Sequence, residues 1–469
     1  MRRAITYGER TRPGLIRWRL GRAARWPSPS AHTAILAGLA VIGLAPILAW
    51  QLAKERWLNV ALLTVIALVP VFIRWPVVST FGMYVLLVPL FDSLPYFVAG
   101  GTVVKPVGML AGVVMLGTGI MDRRLGRPPA AAAWWTLLAV WAALSVTWAV
   151  NAAVVVERLP SFLSLIVLYL VAVSFRPSRR ELYWVCVLAV IGGVLAAGAT
   201  YLFGAADAAQ YEGRARLVIG DAESNPNALG EVLTLPLALA VAGFVGLRGR
   251  LGKALAMVSA LIIGAGMLVT VSRGALAAAV VAIIVLSYRL RARAQIVIVV
   301  LALVAVAGTM PQVLSERIES IVTGEDATGS GRTDIWTDGF RAVERFGIFG
   351  AGLENFRDAN RVYYLAKRDG TTAHNTFLMV LVELGIVGLA LMIGGIVHHL
   401  IIARRAWKAG HSRLLLGGLE AACIGVLVIA MVGDVTLTKS FWLPWILLTW
   451  SGYVKAETGE VGDEHGRAA

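Results

Sequence analysis

The residues able to do chemistry in this chain are few, and their types narrow what that chemistry can be. Imidazole is the commonest general base near neutral pH, and the sequence holds six histidines: His32, His374, His398, His399, His411 and His465. A guanidinium carries a permanent charge and a planar fork that matches phosphate oxygens. Arg273, in Val271-Ser272-Arg273-Gly274-Ala275, separates two apolar runs, and Gly274 beside it lets a backbone or ligand approach closely. A second group, Arg214 and Arg216 in Gly213-Arg214-Ala215-Arg216, precedes Asn225-Pro226-Asn227. Glu383 is an ionisable group in an apolar segment, which marks either a functional site or a buried bond to a neighbouring helix. Plainer roles exist for the others too: His374 as a helix cap or interface residue, and Arg273 as a side chain snorkelling to lipid headgroups.

What must position these residues is a bundle of membrane helices. The 469 residues are 58% hydrophobic and 15% charged, with a mean hydropathy of +0.75, far from soluble globular composition. Apolar runs of roughly 17 to 24 residues match the length a helix needs to cross about 30 Å of hydrocarbon. Only helices or closed barrels satisfy every backbone group there. About fourteen spans are expected, at 33–50, 57–73, 77–98, 104–121, 131–150, 160–175, 181–203, 228–247, 254–271, 274–288, 295–310, 377–402, 414–435 and 441–454. The two flanking Arg273 can alternatively form one kinked hairpin.

The net charge of +15 does not point to nucleic acid, because the basic residues punctuate apolar runs instead of gathering on one soluble face. Their distribution follows the positive-inside rule. The N-terminal tail, Arg74, 122–129, 176–180, 248–253, 289–293 and 404–413 fall on one side, which puts both termini in the cytoplasm. The first apolar run is longer than a signal-peptide core and lacks a small-residue cleavage site, so it reads as a retained helix. Cys186 and Cys423 both lie inside spans, leaving no disulfide framework and no cysteine metal site to read.

Two outward segments are exceptional. One is Gly204 to Asn227, with the arginine pair. The other is Pro311 to Ala373, with Gly331-Arg332-Thr333-Asp334-Ile335-Trp336, a helix-like stretch from Thr333 to Arg345, and Gly347, Gly350 and Gly352 as turn punctuation. By this topology only His374 among the histidines faces outward, beside Asn375; His398 and His399 sit at an inner helix end. The expected organisation is a basic cytoplasmic tail (1–32), membrane helices (33–310), a large outer loop (311–373), three further membrane helices (374–454) and a cytoplasmic tail (455–469).

The chain resembles the O-antigen ligase and O-antigen polymerase superfamily of bacterial membrane glycosyltransferases. The resemblance spans roughly Arg214 to Leu389. It rests on an arginine upstream of Asn225-Pro226-Asn227, on Ser272-Arg273-Gly274, on Gly331-Arg332 with Trp336, on Gly347 to Gly352 with Phe356, and on His374-Asn375 leading into Glu383-Leu384-Gly385-Ile386-Val387-Gly388. It implies an all-α protein of about 12–14 transmembrane helices in the bacterial cytoplasmic membrane, with a large outer loop before the last three helices and the site on the outer face. It also implies transfer of a glycan from undecaprenyl diphosphate to a hydroxyl of a glycan or glycolipid acceptor during polysaccharide or lipopolysaccharide biosynthesis, with no metal or cofactor. His374 corresponds to the family's base. Arg273 and one of Arg214 or Arg216, with Arg216 preferred, correspond to the diphosphate ligands; Arg332, Asn375 and Glu383 are candidates for support.

In-line attack at such a site inverts the anomeric centre. A polymerase joining repeat units on one carrier is the alternative within the superfamily. Outside it stands a flippase for the lipid-linked glycan, which would want carboxylates deep in the membrane; Glu231, Glu383, Glu420 and Asp434 are available.

Overall fold

The computed structural model describes residues 72, 74–93, 104–204, 215, 217–219, 222–308, 332–361 and 372–454. The chain divides into two units, Met1–Arg74 and Trp75–Ala469, and the second holds the helical bundle. The first two expected spans, both tails, Arg214 and Arg216 lie outside the described residues.

Fifteen helices follow one another along the described chain: α1 (Val78–Leu90), α2 (Val104–Met121), α3 (Ala130–Leu144), α4 (Ala152–Ser174), α5 (Arg179–Ala199), α6 (Pro226–Val232), α7 (Thr234–Gly246), α8 (Arg250–Val269), α9 (Arg273–Leu290), α10 (Arg293–Gly308), α11 (Arg332–Phe346), α12 (Phe356–Asn360), α13 (Thr376–Lys408), α14 (Arg413–Ala430) and α15 (Lys439–Ser451). Among the described residues, nine helices are long and apolar enough to cross a membrane, with α6 and α7 taken as one, and α1 and α10 are shorter apolar helices. The protein is therefore a multi-pass, all-α membrane protein. The departures among the described residues are a two-residue antiparallel pairing of β1 (Val218–Ile219) with β2 (Ala222–Glu223) and an isolated antiparallel bridge between Leu125 and Phe175.

Helix boundaries differ from expectation where charge, not apolar length, marks an end. α4 begins at Ala152, ahead of Glu157 and Arg158, and carries Pro160 inside it; membrane helices tolerate an internal proline when neighbours satisfy the freed carbonyl. α8 and α9 are two separate helices joined by Thr270–Ser272, not one kinked element.

Small residues let the helices approach closely, as membrane packing requires in the absence of a hydrophobic drive between helices. A Cβ on Gly425 of α14 would stand 2.6 Å from Thr234 of α7, and one on Gly395 of α13 would stand 2.5 Å from Trp135 of α3. Polar ties complete the bundle. His399 is fully buried between the Tyr169 hydroxyl (2.9 Å to Nε2) and Thr449 (3.1 Å to Nδ1), joining α4, α13 and α15. Arg289 at the end of α9 pairs with Glu420 of α14, which also accepts from Trp407 Nε1 at 2.8 Å.

The most consequential local feature is a break in α13. Gly385 has φ +69° and ψ −170°, and the helix continues on either side of it. The interruption frees backbone groups, and a glycine turn from Gly347 to Gly352 takes them up. Ala351 N donates to Val382 O, Gly352 N donates to Glu383 O, and Ile386 N donates to Gly347 O, each at 2.8 Å. Trp141 Nε1 of α3 donates to Leu384 O at 2.8 Å. The turn and the break touch backbone to backbone: a Cβ on Gly385 would fall 2.1 Å from Ile348 O.

Gly385→Ala combines a left-handed φ, which costs about 1–3 kcal/mol for a residue with a Cβ, with that clash. Its melting temperature in detergent should fall clearly below wild type. Gly117→Ala on α2, where a Cβ meets nothing within 4 Å, should melt with wild type. Equal melting of Gly385→Ala and wild type would mean that the break is not required.

Candidate functional site

His374 sits one residue before the cap of α13 and is held from both sides. Asn375 caps the helix, its side chain accepting from Leu378 N at 3.1 Å. Trp336 Nε1, from the first turns of α11, donates to Ala373 O at 3.0 Å, so the Arg332 to Trp336 motif is fastened to the histidine segment. On the other side lies the loop between α14 and α15. Thr376 Oγ1 donates to Gly433 O at 2.7 Å and accepts from Val435 N at 3.0 Å. Asp434 Oδ2 accepts from the His374 backbone N at 3.1 Å. His374 itself has φ +46°, a conformation uncommon for a residue with a Cβ, and its side chain is half-buried.

Arg273 is the first residue of α9, exposed, next to its Ser272 cap. Gly274 does permit a close approach, and what approaches is Val432 of the loop carrying Asp434, with Cγ2 2.7 Å from where a Cβ would stand. Gly230 of α6 likewise packs against Ala275, Thr270 and Ser272, while Glu231 Oε1 lies 2.9 Å from a Cβ built on Gly433. Arg332, the first residue of α11, completes the group. Burial lowers its pKa below the usual guanidinium value first and the Arg273 charge second, while Asp434 and Glu231 oppose the shift. Its Nε and the Oδ1 of Asp434 are buried without a hydrogen-bond partner among the described residues.

Three helices therefore begin at one place: α9 at Arg273, α11 at Arg332 and α13 at Thr376. Helix N-termini present free N–H groups and partial positive charge, and two guanidinium groups within electrostatic reach of each other add formal charge. Such an arrangement is chemically suited to an anion with several oxygens, such as a phosphate or diphosphate. Among the described residues, no group of three His, Cys, Asp or Glu side chains is placed to hold a metal ion.

Arg214 and Arg216 lie outside the described residues, but Ala215 between them donates its backbone N to Val269 O at 2.9 Å. That bond ties Ala215 to the end of α8, just ahead of the turn leading into Arg273. Glu383, only 2% exposed, accepts from Glu354 N at 2.9 Å and Phe356 N at 3.2 Å. It clasps the loop backbone ahead of and at the start of α12. Glu231 and Asp434 join the Arg332 neighbourhood, and Glu420 pairs with Arg289 at the opposite end of α9. Asp434 as the contact of His374 escaped the sequence reading, because it lies sixty residues further on; the signal was Gly433-Asp434 interrupting two apolar runs.

The fold is that of a multi-pass membrane protein, with Arg273, Arg332, Asp434 and Glu231 gathered where α9, α11 and α13 begin. Residues 258–393, which hold Arg273, Arg332, His374 and the Gly385 break, match the family described as O-antigen ligase. Over 77 residues the chain is 35% identical to the exopolysaccharide production protein ExoQ of Rhizobium meliloti (strain 1021), an alignment covering 15% of this chain and 18% of that relative.

Glu354, left-handed at φ +59°, has its pKa raised by burial first; Asp434 adds to the shift and Arg158 opposes it. The folded state thus holds this proton more tightly than the unfolded chain does. The corresponding stability is present below the unfolded carboxylate pKa of about 4.3 and is lost as pH rises through the folded value. Melting curves across this window should show wild type losing more stability with rising pH than Glu354→Gln. Parallel losses in the two proteins would remove Glu354 as their cause.

Proposed function

We propose that this protein is a membrane glycosyltransferase that moves a glycan from a polyprenyl diphosphate, undecaprenyl diphosphate in bacteria, to an acceptor hydroxyl at the outer face of the cytoplasmic membrane. The observation carrying the reading is the meeting of Arg273 and Arg332, at two helix N-termini, with the His374 segment through Asp434. Arg273 and Arg332 hold the donor diphosphate, with Arg216 or Arg214 arriving on the segment tied to Val269. His374 takes the proton from the acceptor hydroxyl as its oxygen bonds to the anomeric carbon. The bond from that carbon to the diphosphate oxygen breaks in the same step, and the released charge stays on the arginines. Attack opposite the leaving group inverts the anomeric configuration. The guanidinium groups supply the charge stabilisation that a metal ion supplies elsewhere, so the reaction needs none. A carrier whose tail remains in lipid while its diphosphate reaches helix ends suits a site at the bilayer edge.

The acceptor is a different glycolipid in a ligase and another repeat unit on the same carrier in a polymerase. The ligase reading follows the matched family's description. The polymerase reading is favoured by the named relative, an exopolysaccharide production protein. Both use the same donor and the same chemistry.

The deciding experiment is transfer in proteoliposomes from an undecaprenyl-diphosphate-linked glycan. His374→Ala should lower kcat by about 10²- to 10⁴-fold with donor binding retained, the range of a lost general base. Arg273→Ala should weaken donor binding about 10- to 100-fold, the range of a lost charge-assisted hydrogen bond. Donor crossing the bilayer without a new glycosidic bond, indifferent to His374→Ala, would overturn the reading in favour of a flippase.

A further inference from the structure

Beside the charged site lies a hollow of about 390 Å³ that the proposed chemistry does not use, lined by Val150, Asn151, Asp358 and Arg361. Its size falls within the range of ligand clefts, about 300–1,000 Å³. Its two walls come from distant parts of the chain: the residues leading into α4 and the segment through α12. Four hydrogen bonds lock them together. Val150 N donates to Ala351 O (2.8 Å), Asn151 N to Asn355 Oδ1 (2.7 Å), Asn355 Nδ2 to Asn151 O (3.2 Å) and Leu353 N to Ser145 Oγ (3.1 Å). Asn355, fully buried, spends its side chain on this joint. The framework is rigid, while the groups it presents are unengaged: the side chains of Asn151, Asp358 and Arg361 make no hydrogen bond or ion pair with the described residues.

The chemistry of the lining selects the occupant. One carboxylate and one guanidinium leave no net charge, so Asp358 would oppose a diphosphate and nothing here favours a polyprenyl chain. A planar amide, a carboxylate and an arginine fork together offer donors and acceptors in alternation, which is what the adjacent hydroxyls of a sugar ring pair with. The position fits as well. Glu354, four residues before Asp358, lies in the electrostatic field of both Arg158, on α4, and Asp434, the contact of His374. A glycan whose reacting end meets His374 can run from there over α12 into the hollow.

We infer that this hollow is a sugar-binding subsite, holding a ring of the donor or acceptor glycan away from the reacting bond. The assignment rests on the transferase reading, and its test separates the two. The probe is the free oligosaccharide repeat unit released by mild acid from the producing cell's own lipid-linked pool, bound to full-length protein in detergent and followed by saturation-transfer NMR. Transfer kinetics are measured in parallel in proteoliposomes. Asn151→Ala, Asp358→Asn and Arg361→Ala should each weaken oligosaccharide binding and raise one glycan KM about 3- to 10-fold, the range of one lost hydrogen bond, with kcat and melting temperature near wild type. A rise confined to the donor titration places the donor glycan in the hollow, and one confined to the acceptor titration places the acceptor there. Transfer by wild type with KM and binding unchanged in all three variants would overturn the subsite and leave the transferase standing. No transfer by wild type would overturn the transferase reading, and the subsite with it.

Discussion

A helix interrupted inside a membrane protein leaves peptide groups that no water is at hand to satisfy, and the break at Gly385 makes that constraint govern the rest of this end of the molecule. An unpaired peptide group in hydrocarbon costs several kcal/mol. Val382, Glu383 and Leu384 therefore need donors, and the turn around Gly350 with Trp141 supplies them. The Glu383 carboxylate extends the same fastening two and four residues beyond the turn, onto Glu354 N and Phe356 N. What looks like a loop laid over the bundle is thus bonded into the core of a membrane helix. The walls of the hollow and the seat of α11 are set by those bonds.

Charge at this end is partly offset by the protein's own carboxylates. Arg273 and Arg332 repel each other, and three helix N-termini add to the positive potential; Asp434 and Glu231 offset part of it. Asp434 also binds the backbone of His374, so one carboxylate faces both the guanidinium groups and the histidine segment. An anion entering the patch changes the field at Asp434 and thereby the surroundings of the imidazole.

The membrane fold was legible in the sequence because apolar length is a local property: α2, α8 and α9 fall close to their expected runs. The turn chemistry of Gly347, Gly350 and Gly352 and the helical stretch from Thr333 to Arg345 were legible for the same reason. Boundaries such as that of α4 were misplaced because Glu157, Arg158 and Pro160 look like a stop when only hydropathy is weighed. The partnership of His374 with Asp434, and of Glu383 with two loop amides, depends on residues 60 and about 30 positions apart. No periodicity encodes such a pairing. The break at Gly385 was equally hidden, since a glycine in an apolar run reads as a packing residue until the chain that crosses it is known.

The pairing of Arg289 with Glu420 has a bearing far from its own position. Arg289 stands sixteen residues along α9 from Arg273, about 24 Å at 1.5 Å per residue, and Gly274 at the far end is seated against Val432. α9 is therefore tied near both its ends to the segment running from Glu420 of α14 to Val432, like two rails joined by a pair of cross-ties. A slip of one residue along either rail would shift the helix by about 1.5 Å and turn it by about 100°, breaking both ties at once. In a bilayer of unmatched thickness the pair tilts as a unit. The length of protein between Arg273 and the Arg289 tie is then kept whatever the tilt.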